Sequence, residues 1–317
     1  MAFSHYLQVM SLDPKLRLRH LNCFMEVART GSVAAAAEAL HVTQPAVSKT
    51  LRELEAILGN PLFDRTGRRL KMNAAGAAFQ KFTGSALGDL ARAQAVVRGA
   101  QGGEVKLNIG VLPTAATDLL PEAAIAFRAR HPNCVLRVST GPNWLLLSQL
   151  REGALDMVVG RMAEPDRMEG LSFAQLYPEE IIAAVRPDHP LRALSVDGLL
   201  NHPLILPPTG AVIGAAVRSY LLSIGANAVT PAFETVALAF GRRVVQQTDA
   251  IWFISRGVVA EELAAGSLRA LVPERPVPAG PVGISLRAET VPVPELAALI
   301  ETLKAAAGPR ARRFEAP

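Results

Sequence analysis

The stretch that decides the fold is SVAAAAEALHVTQPAVSKTLRELEAIL, residues 32–58. Apolar residues recur in it at helical spacing in two segments, which predicts two short helices. The segments are separated at His41 and Val42, and Thr43 and Pro45 are typical of the first positions of the second helix. Two short helices joined by a tight turn indicate a helix-turn-helix, although an ordinary helical hairpin with a solvated polar face shows the same pattern.

The second predicted helix carries a polar face that suits the major groove of DNA. Gln44, Ser48 and Arg52 follow one another four residues apart and form a row without an acid. Gln44 and Arg52 are expected to read base edges, because an amide and a guanidinium can make bidentate contacts, and Lys49 is expected to contact phosphate. The predicted DNA-contacting residues of this helix are Thr43, Gln44, Pro45, Ser48, Lys49 and Arg52.

A basic hairpin is predicted directly after the second helix. Residues 62–71 read LFDRTGRRLK and can turn at Thr66 and Gly67. A wing of this kind reaches phosphates or the minor groove, whereas a solvated basic turn would contact nothing. The predicted DNA-contacting residues of the wing are Arg65, Arg68 and Arg69.

The composition predicts a folded protein without a membrane span. Half of the 317 residues are hydrophobic and 19% are charged, which excludes a disordered chain. No run of about 18 apolar residues occurs, and residues 1–16 lack the features of a signal peptide, so we expect a cytoplasmic protein that binds no membrane. The two cysteines, Cys23 and Cys134, are expected to be reduced and packed. Residues 1–103 carry a net charge of +6 and residues 104–317 one of −1, so the positive charge lies where a DNA-binding module requires it.

A long helix is predicted over residues 73–98. Its large apolar residues fall on one seam at spacings of three and four, and a seam outside the small N-terminal domain needs a partner. We expect two copies of the chain to pair through it, although the helix could instead fold back on its own domain. The predicted dimerisation residues are Phe79, Phe82, Ala86, Leu90 and Val97.

Strands and helices alternate after residue 104, which predicts parallel sheets with helical crossovers. The alternation occurs in two runs, and Pro165 marks the expected crossing between them. A strand at residues 282–287 and a helix at residues 294–307 should return to the first run, and residues 308–317 are expected to be a solvated tail. The predicted class is therefore α/β with an all-α, winged N-terminal domain, and the α/β part has two lobes.

Catalytic and metal-binding motifs are absent from the sequence. It has no G-x-S-x-G, no Walker loop and no G-x-G-x-x-G, and its histidines do not occur at metal-ligand spacing. An α/β enzyme, a periplasmic solute-binding protein and a purely architectural DNA binder each explain only part of the chain. We therefore expect a protein that is not an enzyme and has no cofactor or metal.

The N-terminal sequence resembles the winged helix-turn-helix of LysR-type transcriptional regulators. The resemblance runs through RHLNCFMEVARTGSVAAAAEALHVTQPAVSKTLRELEAILGNPLFDRTGRRLKMNAAG, residues 19–76, and one departure is Asn73, where the family often has Thr. It implies a DNA-binding domain at residues 12–72 and a linker helix at residues 73–103 that pairs antiparallel with its copy. It also implies an effector-binding domain at residues 104–307, similar to periplasmic solute-binding proteins.

The same resemblance implies lobe boundaries and partners. The first lobe should comprise residues 104–164 and 276–307, and the second lobe residues 168–272. The expected partners are double-stranded promoter DNA, further copies of the chain in a homodimer or homotetramer, and RNA polymerase.

The α/β part is most similar to the branch of this family that controls pca operons. VLPTAA at residues 111–116, DAIWFISRGVVA at 249–260 and GPVGISLRAE at 280–289 are among the segments that carry the similarity. The similarity implies an activator of protocatechuate breakdown through the β-ketoadipate pathway, with an effector such as a carboxylated muconate or lactone. A nearby branch responds to sugars, so a regulator that senses a sugar or another metabolite is the alternative.

The effector is expected between the two lobes, beyond the carboxyl ends of the strands. Four loops at such ends carry hydroxyl, amide or guanidinium groups, and Arg161 is expected to hold a carboxylate in a fork. Arg161 could instead form a surface ion pair with Glu164 or Asp166, and the threonines could be helix caps. The predicted effector-binding residues, which the resemblance also places in the site, are Thr114, Thr140, Asn143, Arg161, Pro208 and Thr209.

Overall fold

The chain divides into two compact units in the computed structural model. The first unit is Met1–Gln101 with Arg151–Ala154, and the second is Gly102–Leu150 with Leu155–Pro317. Among the described residues, no helix is long and apolar enough to cross a membrane. The structure describes residues 12–66, 69–99, 105–273, 275, 277–278, 280–288 and 291–315.

In the described part of the first unit, three short helices precede the wing, and they confirm the predicted helix-turn-helix. The helices are α1 (Leu18–Thr30), α2 (Val33–Ala39) and α3 (Gln44–Leu58). The hydroxyl of Ser32 caps α2 by accepting the Ala35 N–H at 3.4 Å. His41 turns the chain between α2 and α3 with a φ of 55°, in the left-handed region that side chains other than glycine rarely adopt.

A two-stranded wing follows α3. Strand β1 (Phe63–Thr66) pairs antiparallel with β2 (Arg69–Met72), and the register runs from Phe63 opposite Met72 to Thr66 opposite Arg69. The sequence had suggested that Thr66 is part of the turn, but it is a paired strand residue. The connection consists of Gly67 and Arg68, which lie outside the described residues.

The core of the first unit joins the three helices, the wing and the next helix. Phe24 lies at its centre, with ring centroids 5.6 Å from Phe63 and 5.1 Å from Phe79. Cys23 is buried in this core, as the sequence predicted. The other buried members are Val27, Ala36, Ala37, Val47, Leu51, Leu54 and Leu62.

The long helix α4 (Ala74–Gly99) begins at a capped and closely packed start. Asn73 Oδ1 accepts the N–H of Gly76 at 2.9 Å, and Asn73 Nδ2 donates to the carbonyl of Pro61 at 3.0 Å. A Cβ at Gly76 would lie 2.2 Å from the carbonyl oxygen of Leu62, so only glycine fits there. The substitution of Asn73 for the usual Thr thus preserves the helix start.

The second unit contains two five-stranded sheets, and both are mixed. In the first sheet, with order β4-β3-β5-β14-β6, β14 runs antiparallel to β5 and β6, whereas the other pairs are parallel. The expectation of parallel sheets was therefore wrong for this part. The strands are β3 (Val105–Val111), β4 (Cys134–Thr140), β5 (Met157–Arg161), β6 (Leu171–Glu179) and β14 (Gly280–Arg287).

The second sheet has the order β10-β9-β11-β7-β12. Strands β10, β9 and β11 are parallel, while β7 is antiparallel to β11 and β12 is antiparallel to β7. A separate parallel pair joins β13 to β8. These strands are β7 (Ile181–Val185), β8 (Ala193–Leu194), β9 (Leu204–Leu206), β10 (Phe233–Glu234), β11 (Ile251–Ser255), β12 (Arg269–Ala270) and β13 (Val272–Pro273).

Helices cover the two sheets, and each lobe has its own buried core. The core of the first lobe includes Phe127, Val159 and Leu299, and that of the second includes Trp252 and Phe253. The α-helices are α5 (Pro113–Ala116), α6 (Leu119–Arg130), α7 (Asn143–Arg151), α8 (Val196–Asn201), α9 (Gly214–Ser223), α10 (Leu238–Gln247), α11 (Ala260–Ala264) and α12 (Pro294–Glu315), and the 3-10 helices are Pro165–Met168 and Arg256–Val259.

The chain crosses between the lobes later than the sequence suggested. Strand β6 pairs with β14 in the first sheet, so the crossing lies at Glu180, between β6 and β7, and not near Pro165. Residues 168–179 consequently belong to the first lobe rather than the second. The sequence interpretation had missed β6 altogether.

The C-terminal residues form part of the folded unit. Helix α12 continues to Glu315, although a solvated tail was expected after residue 307. The side chain of Arg310 is only 12% exposed; its Nε donates to Asp118 at 2.9 Å and its Nη2 pairs with Glu122 at 2.9 Å. This ion-pair cluster fastens the end of α12 to the start of α6.

Candidate DNA-binding face and effector cleft

Helix α3 separates an apolar face from a polar one, as predicted. Val47, Leu51 and Leu54 are buried in the core of the first unit. Thr43 takes the N-cap position, but its side chain makes no capping hydrogen bond. Of the predicted DNA-contacting residues of this helix, Ser48 is half-buried, and the exposed ones are Thr43, Gln44, Pro45, Lys49 and Arg52.

The basic side chains on this polar face differ in their local partners. Arg52 Nε donates to the carbonyl of Ser48 at 3.1 Å, so its guanidinium lies along the helix surface. Lys49 Nζ lies 3.9 Å from Glu53 Oε1. Glu53 is shared, since Arg19 Nη2 lies 3.2 Å from its other oxygen. Glu53 is therefore shared between Arg19 and Lys49 and does not pair with Lys49 alone.

Two of the three arginines of the wing that are predicted to contact DNA lie in its strands. Arg65 lies in β1 and Arg69 in β2, where the structure describes their backbone but not their side chains. Arg68 falls outside the described residues. The placement of these three side chains toward DNA accordingly stays a prediction.

The predicted dimerisation seam of α4 divides into two parts. Phe79 is half-buried and stacks edge-on against Phe24, so it belongs to the core of the first unit. The other four residues are exposed, and the exposed fraction is 69% for Phe82, 52% for Leu90 and 69% for Val97, with Ala86 between them. The exposed part of the seam therefore begins at Phe82.

All six predicted effector-binding residues line one cavity of about 440 Å³ between the two sheets. Thr140 and Arg161 end β4 and β5, and Asn143 begins α7. Pro208 and Thr209 follow β9 in the other sheet. The apolar part of the wall includes Leu112, Trp144, Val212, Ile213, Phe253 and Val258.

The three threonines predicted to bind the effector do not act as helix caps. Thr114 lies inside α5, and Thr140 precedes α7 by more than one residue. Helix α9 begins at Gly214, later than the predicted start at Ala211, so Thr209 is not its cap either. Thr140 and Thr209 are exposed at the rim of the cavity.

Arg161 is a buried cation in the wall of the cavity. Its residue is 8% exposed, its Nη2 donates to the backbone carbonyl of Glu179 at 2.9 Å, and its Nε makes no hydrogen bond within the described part of the chain. Burial lowers the pKa of the guanidinium, while the charge of Glu179 raises it. The alternative of a surface ion pair with Glu164 or Asp166 is therefore wrong.

Glu179 is a buried acid next to Arg161, and the sequence interpretation did not identify it. Its Oε1 accepts the N–H of Gly257 at 2.9 Å, and its Oε2 accepts a hydrogen bond from the hydroxyl of Thr114. Burial raises the pKa of this carboxyl to about 7, against the lowering effects of Arg161 and of the hydrogen bonds from Gly257 and Ser255. The hydroxyl of Thr114 is thus engaged with Glu179 rather than directed at a ligand.

The missed residues had a weak signal in the sequence. Leu171, Phe173 and Tyr177 alternate at period two, a strand pattern that ends at Glu179 and is followed by the apolar strand β7. Gly257 had no recognisable signal, because its role depends on a contact with a residue far away in the chain.

The cavity combines one buried cation with neutral polar groups at its rim and apolar walls. Such a lining suits a small organic ligand whose charged end meets Arg161 and whose body contacts the apolar side chains. Among the described residues, no group of three His, Cys, Asp or Glu side chains could hold a metal ion. The arrangement is suited to binding a small ligand.

Comparisons with known proteins agree with both units. The bacterial regulatory helix-turn-helix of the lysR family matches residues 18–77, and the LysR substrate binding domain matches residues 100–308. The HTH-type transcriptional regulator PcaQ of Agrobacterium fabrum is 42% identical over 301 residues, which cover 94% of this chain and 97% of that protein.

Two further relatives extend the comparison. The HTH-type transcriptional regulator YdcI of Escherichia coli is 32% identical over 282 residues, covering 87% of this chain and 91% of YdcI. The crystal structure of ArgP from Mycobacterium tuberculosis has the same fold with a TM-score of 0.68 at 19% identity, covering 92% of this chain and 98% of that chain. The chain therefore belongs to the LysR family of DNA-binding transcriptional regulators, which are not enzymes.

Proposed function

We propose that this regulator binds promoter DNA as a dimer and responds to a small organic acid held by Arg161 in the cleft between its lobes. We further propose that it activates genes for protocatechuate breakdown through the β-ketoadipate pathway. The observation that carries the acid effector is the buried guanidinium of Arg161, whose Nε has no hydrogen-bond partner among the described residues. The likeness to PcaQ supports the choice of pathway.

A buried guanidinium without a full set of partners is costly in a resting protein. Leaving a buried donor unsatisfied costs about 1–3 kcal/mol, and more when the group is charged. An effector carboxylate that accepts from Arg161 would remove this cost and form a charge-assisted hydrogen bond. The cost therefore becomes part of the free energy available for recognition of the effector.

The remaining lining suits a carboxylated muconate or lactone. The cavity of about 440 Å³ has room for a small multi-carbon acid, and its walls are largely apolar. Asn143 begins the nine-residue helix α7 beside the cavity, and the positive end of a helix favours a second carboxylate. An acid with two or three carboxylates can meet Arg161 and this helix start together.

The DNA-binding proposal uses the polar face of α3 and the exposed seam of α4. Two copies joined through α4 would present two recognition helices, so the operator should be an inverted repeat with half-sites about 34 Å apart or a multiple of it. A dimer of such dimers and a contact with RNA polymerase follow from the family resemblance. Both belong to the proposal.

A regulator that senses a sugar is the second candidate. The exposed hydroxyls of Thr140 and Thr209 and the amide of Asn143 lie around the same cavity and could bond neutral hydroxyl groups. This candidate gives no role to the charge of Arg161. The acid effector is therefore preferred.

A thermal-shift panel separates the two candidates. Acids of the β-ketoadipate pathway and neutral sugars would be tested on the wild-type protein and on Arg161→Ala. A ligand at a hundred times its Kd stabilises the folded state by about 2.7 kcal/mol. We expect an acid to raise the midpoint of the wild type but not of the variant. A sugar that raises both midpoints equally, with no response to any acid, would reject the acid effector.

A further inference from the structure

Arg161 and Glu179 occupy spaces that the fold keeps open for them. Both residues are less than a tenth exposed, at 8% and 3%. A Cβ at Gly280 would lie 2.2 Å from Arg161 Nη1, and a Cβ at Gly257 would lie 2.4 Å from Glu179 Oε1. Two glycines from different parts of the fold thus leave space for the ends of the two side chains. The guanidinium of Arg161 donates to the backbone carbonyl of Glu179, so the two residues are buried neighbours whose charges act on each other across a short distance.

The other charges around Glu179 are already matched with one another. Arg256 Nε lies 2.7 Å from Glu180 Oε2, and Arg310 bonds both Asp118 and Glu122. Arg161 is consequently the cation on which the charge of Glu179 depends. The titratable and charged groups that face Glu179 from the surrounding elements are Arg161, Tyr177, Glu180, Asp118, Arg256 and Arg310.

An anion that arrives at Arg161 changes the balance of this pair. Two carboxylates would then lie near one guanidinium in a buried wall, and like charges disfavour ionisation of both. The pKa of Glu179, about 7 before any ligand binds, means that protonation at neutral pH costs little free energy. Protonation of Glu179 therefore relieves the repulsion at small cost.

We propose that the charge of Glu179 balances that of the neighbouring Arg161 in the resting protein, and that an organic anion bound at Arg161 takes over this role while Glu179 takes up one proton from solvent. Effector and proton would then bind together. This inference rests on the proposed acid effector and adds a regulation to that site. A second cavity of about 340 Å³, lined by Glu179, Tyr177 and Arg256, provides the path from solvent.

Thr114 can transmit the change from Glu179 to the ligand. In the resting pair its hydroxyl donates to Glu179 Oε2. When Oε2 carries the proton, the hydroxyl can rotate and accept from it, because a hydroxyl is both donor and acceptor. The hydroxyl hydrogen of Thr114 is then available to the effector, since Thr114 also lines the effector cavity. The step adds one proton and breaks no covalent bond.

The coupling has a definite sign. If only the protonated form of Glu179 accepts the anion, affinity falls as pH rises above the pKa, and it should be about tenfold weaker at pH 8 than at pH 6. Proton uptake per bound ligand should be close to one at pH 8 and close to zero at pH 6. A neutral ligand does not load Arg161 with a second anion and should bind without proton uptake.

Infrared spectroscopy of the full-length protein tests the coupling without any ligand. The protonated carboxyl band of Glu179, assigned by its loss in Glu179→Gln, should titrate near neutral pH. Arg161→Met removes the charge that holds Glu179 ionised and should move the midpoint upward by more than one pH unit. Arg256→Met is the matched control, because Arg256 pairs with Glu180, and it should leave the midpoint in place. An unchanged midpoint in Arg161→Met would overturn the proposal.

Calorimetry with β-carboxymuconate as the probe tests the ligand step. Titrations at pH 8 in phosphate and in Tris, whose ionisation enthalpies differ, report the protons taken up. We expect nearly one proton for the wild type and for Glu180→Gln, and none for Glu179→Gln. Equal uptake in Glu179→Gln would contradict the inference. If the probe does not bind while the infrared coupling holds, the proposed effector fails and the charge balance between Arg161 and Glu179 stands.

Discussion

The polar face of α3 and the wall of the cleft both depend on arginine, but in opposite environments. Arg52 is exposed to solvent, whereas Arg161 is buried beside Glu179. An exposed charge contributes mainly when it meets phosphate or base, and salt screens it. A buried charge needs a partner inside the protein at all times. Operator affinity should therefore respond strongly to salt, and effector affinity to pH.

The largest effect is expected from disrupting the proposed dimer, in which two copies of the chain pair through the exposed seam of α4. Phe82→Asp with Leu90→Asp should give monomers, because the substitutions place two carboxylates on the exposed seam of α4. Linking two binding modules raises affinity by about 10²–10⁴-fold, so loss of the dimer should weaken operator binding by a similar factor. Sedimentation and operator titration are the measurements.

A matched control for this experiment lies in the second unit. Leu200 and Val291 are 54% and 87% exposed, and Leu200→Asp with Val291→Asp should leave assembly and DNA binding as in the parent. If Phe82→Asp with Leu90→Asp retains the parent assembly and its operator affinity, the seam is only a surface of a monomer.

The pH dependence of stability tests the buried carboxyl of Glu179, which lies beside Arg161 in the cleft wall. The pKa of Glu179 is about 7 in the folded chain and near 4.5 in the unfolded chain, so between these values the folded state holds the extra proton. Stability should then fall as pH rises through this window, by about 3 kcal/mol relative to Glu179→Gln. Below pH 4.5 the difference between the two proteins should be constant.

Tryptophan fluorescence makes this measurement specific to the second unit. The chain has two tryptophans, Trp144 and Trp252, and both lie in that unit. Urea unfolding followed by their emission should be measured at several pH values. The free energy of unfolding should fall with rising pH in the wild type and in Glu180→Gln, but not in Glu179→Gln. Parallel pH profiles of stability for all three proteins would contradict a raised pKa of Glu179 in the folded chain.

A smaller effect is expected for base recognition by the exposed arginine. Arg52→Ala should weaken operator binding by about 1–3 kcal/mol and relax sequence preference, if Arg52 reads a base. Arg29→Ala is the control, since Arg29 is also an exposed arginine but pairs with Glu26 on α1. Wild-type affinity and salt dependence in Arg52→Ala combined with Arg68→Ala would remove both residues from the DNA contact.

The two regions also differ in how far the sequence could predict them. The recognition row lies within one helix, so helical spacing alone places Gln44, Ser48 and Arg52 on one face. The six effector residues could be proposed because each follows a predicted strand. Their hydrogen-bond partners could not be predicted from the sequence. Thr114 bonds the carboxyl of Glu179, 65 residues away, and Gly257 bonds the same carboxyl from 78 residues away.

Other failures have the same cause. The directions of β14 and β7 are decided by the return of the chain to each lobe, and local alternation contains no such information. Arg310 was expected in a solvated tail, and the local sequence could not correct this, because its partner Asp118 lies 192 residues earlier. Local patterns thus predicted elements and faces, whereas pairings between distant residues are decided by the tertiary fold.

Calorimetry of β-carboxymuconate binding to the wild type and to Arg161→Ala tests the central claim most directly. Loss of one partner from a buried charge pair costs about 2–5 kcal/mol, so the variant should lose at least tenfold in affinity while its operator binding stays intact. Arg256→Ala, which removes an arginine from the neighbouring cavity, should bind as the wild type does. Unchanged affinity in Arg161→Ala, with operator binding intact, would contradict an effector held by the buried arginine.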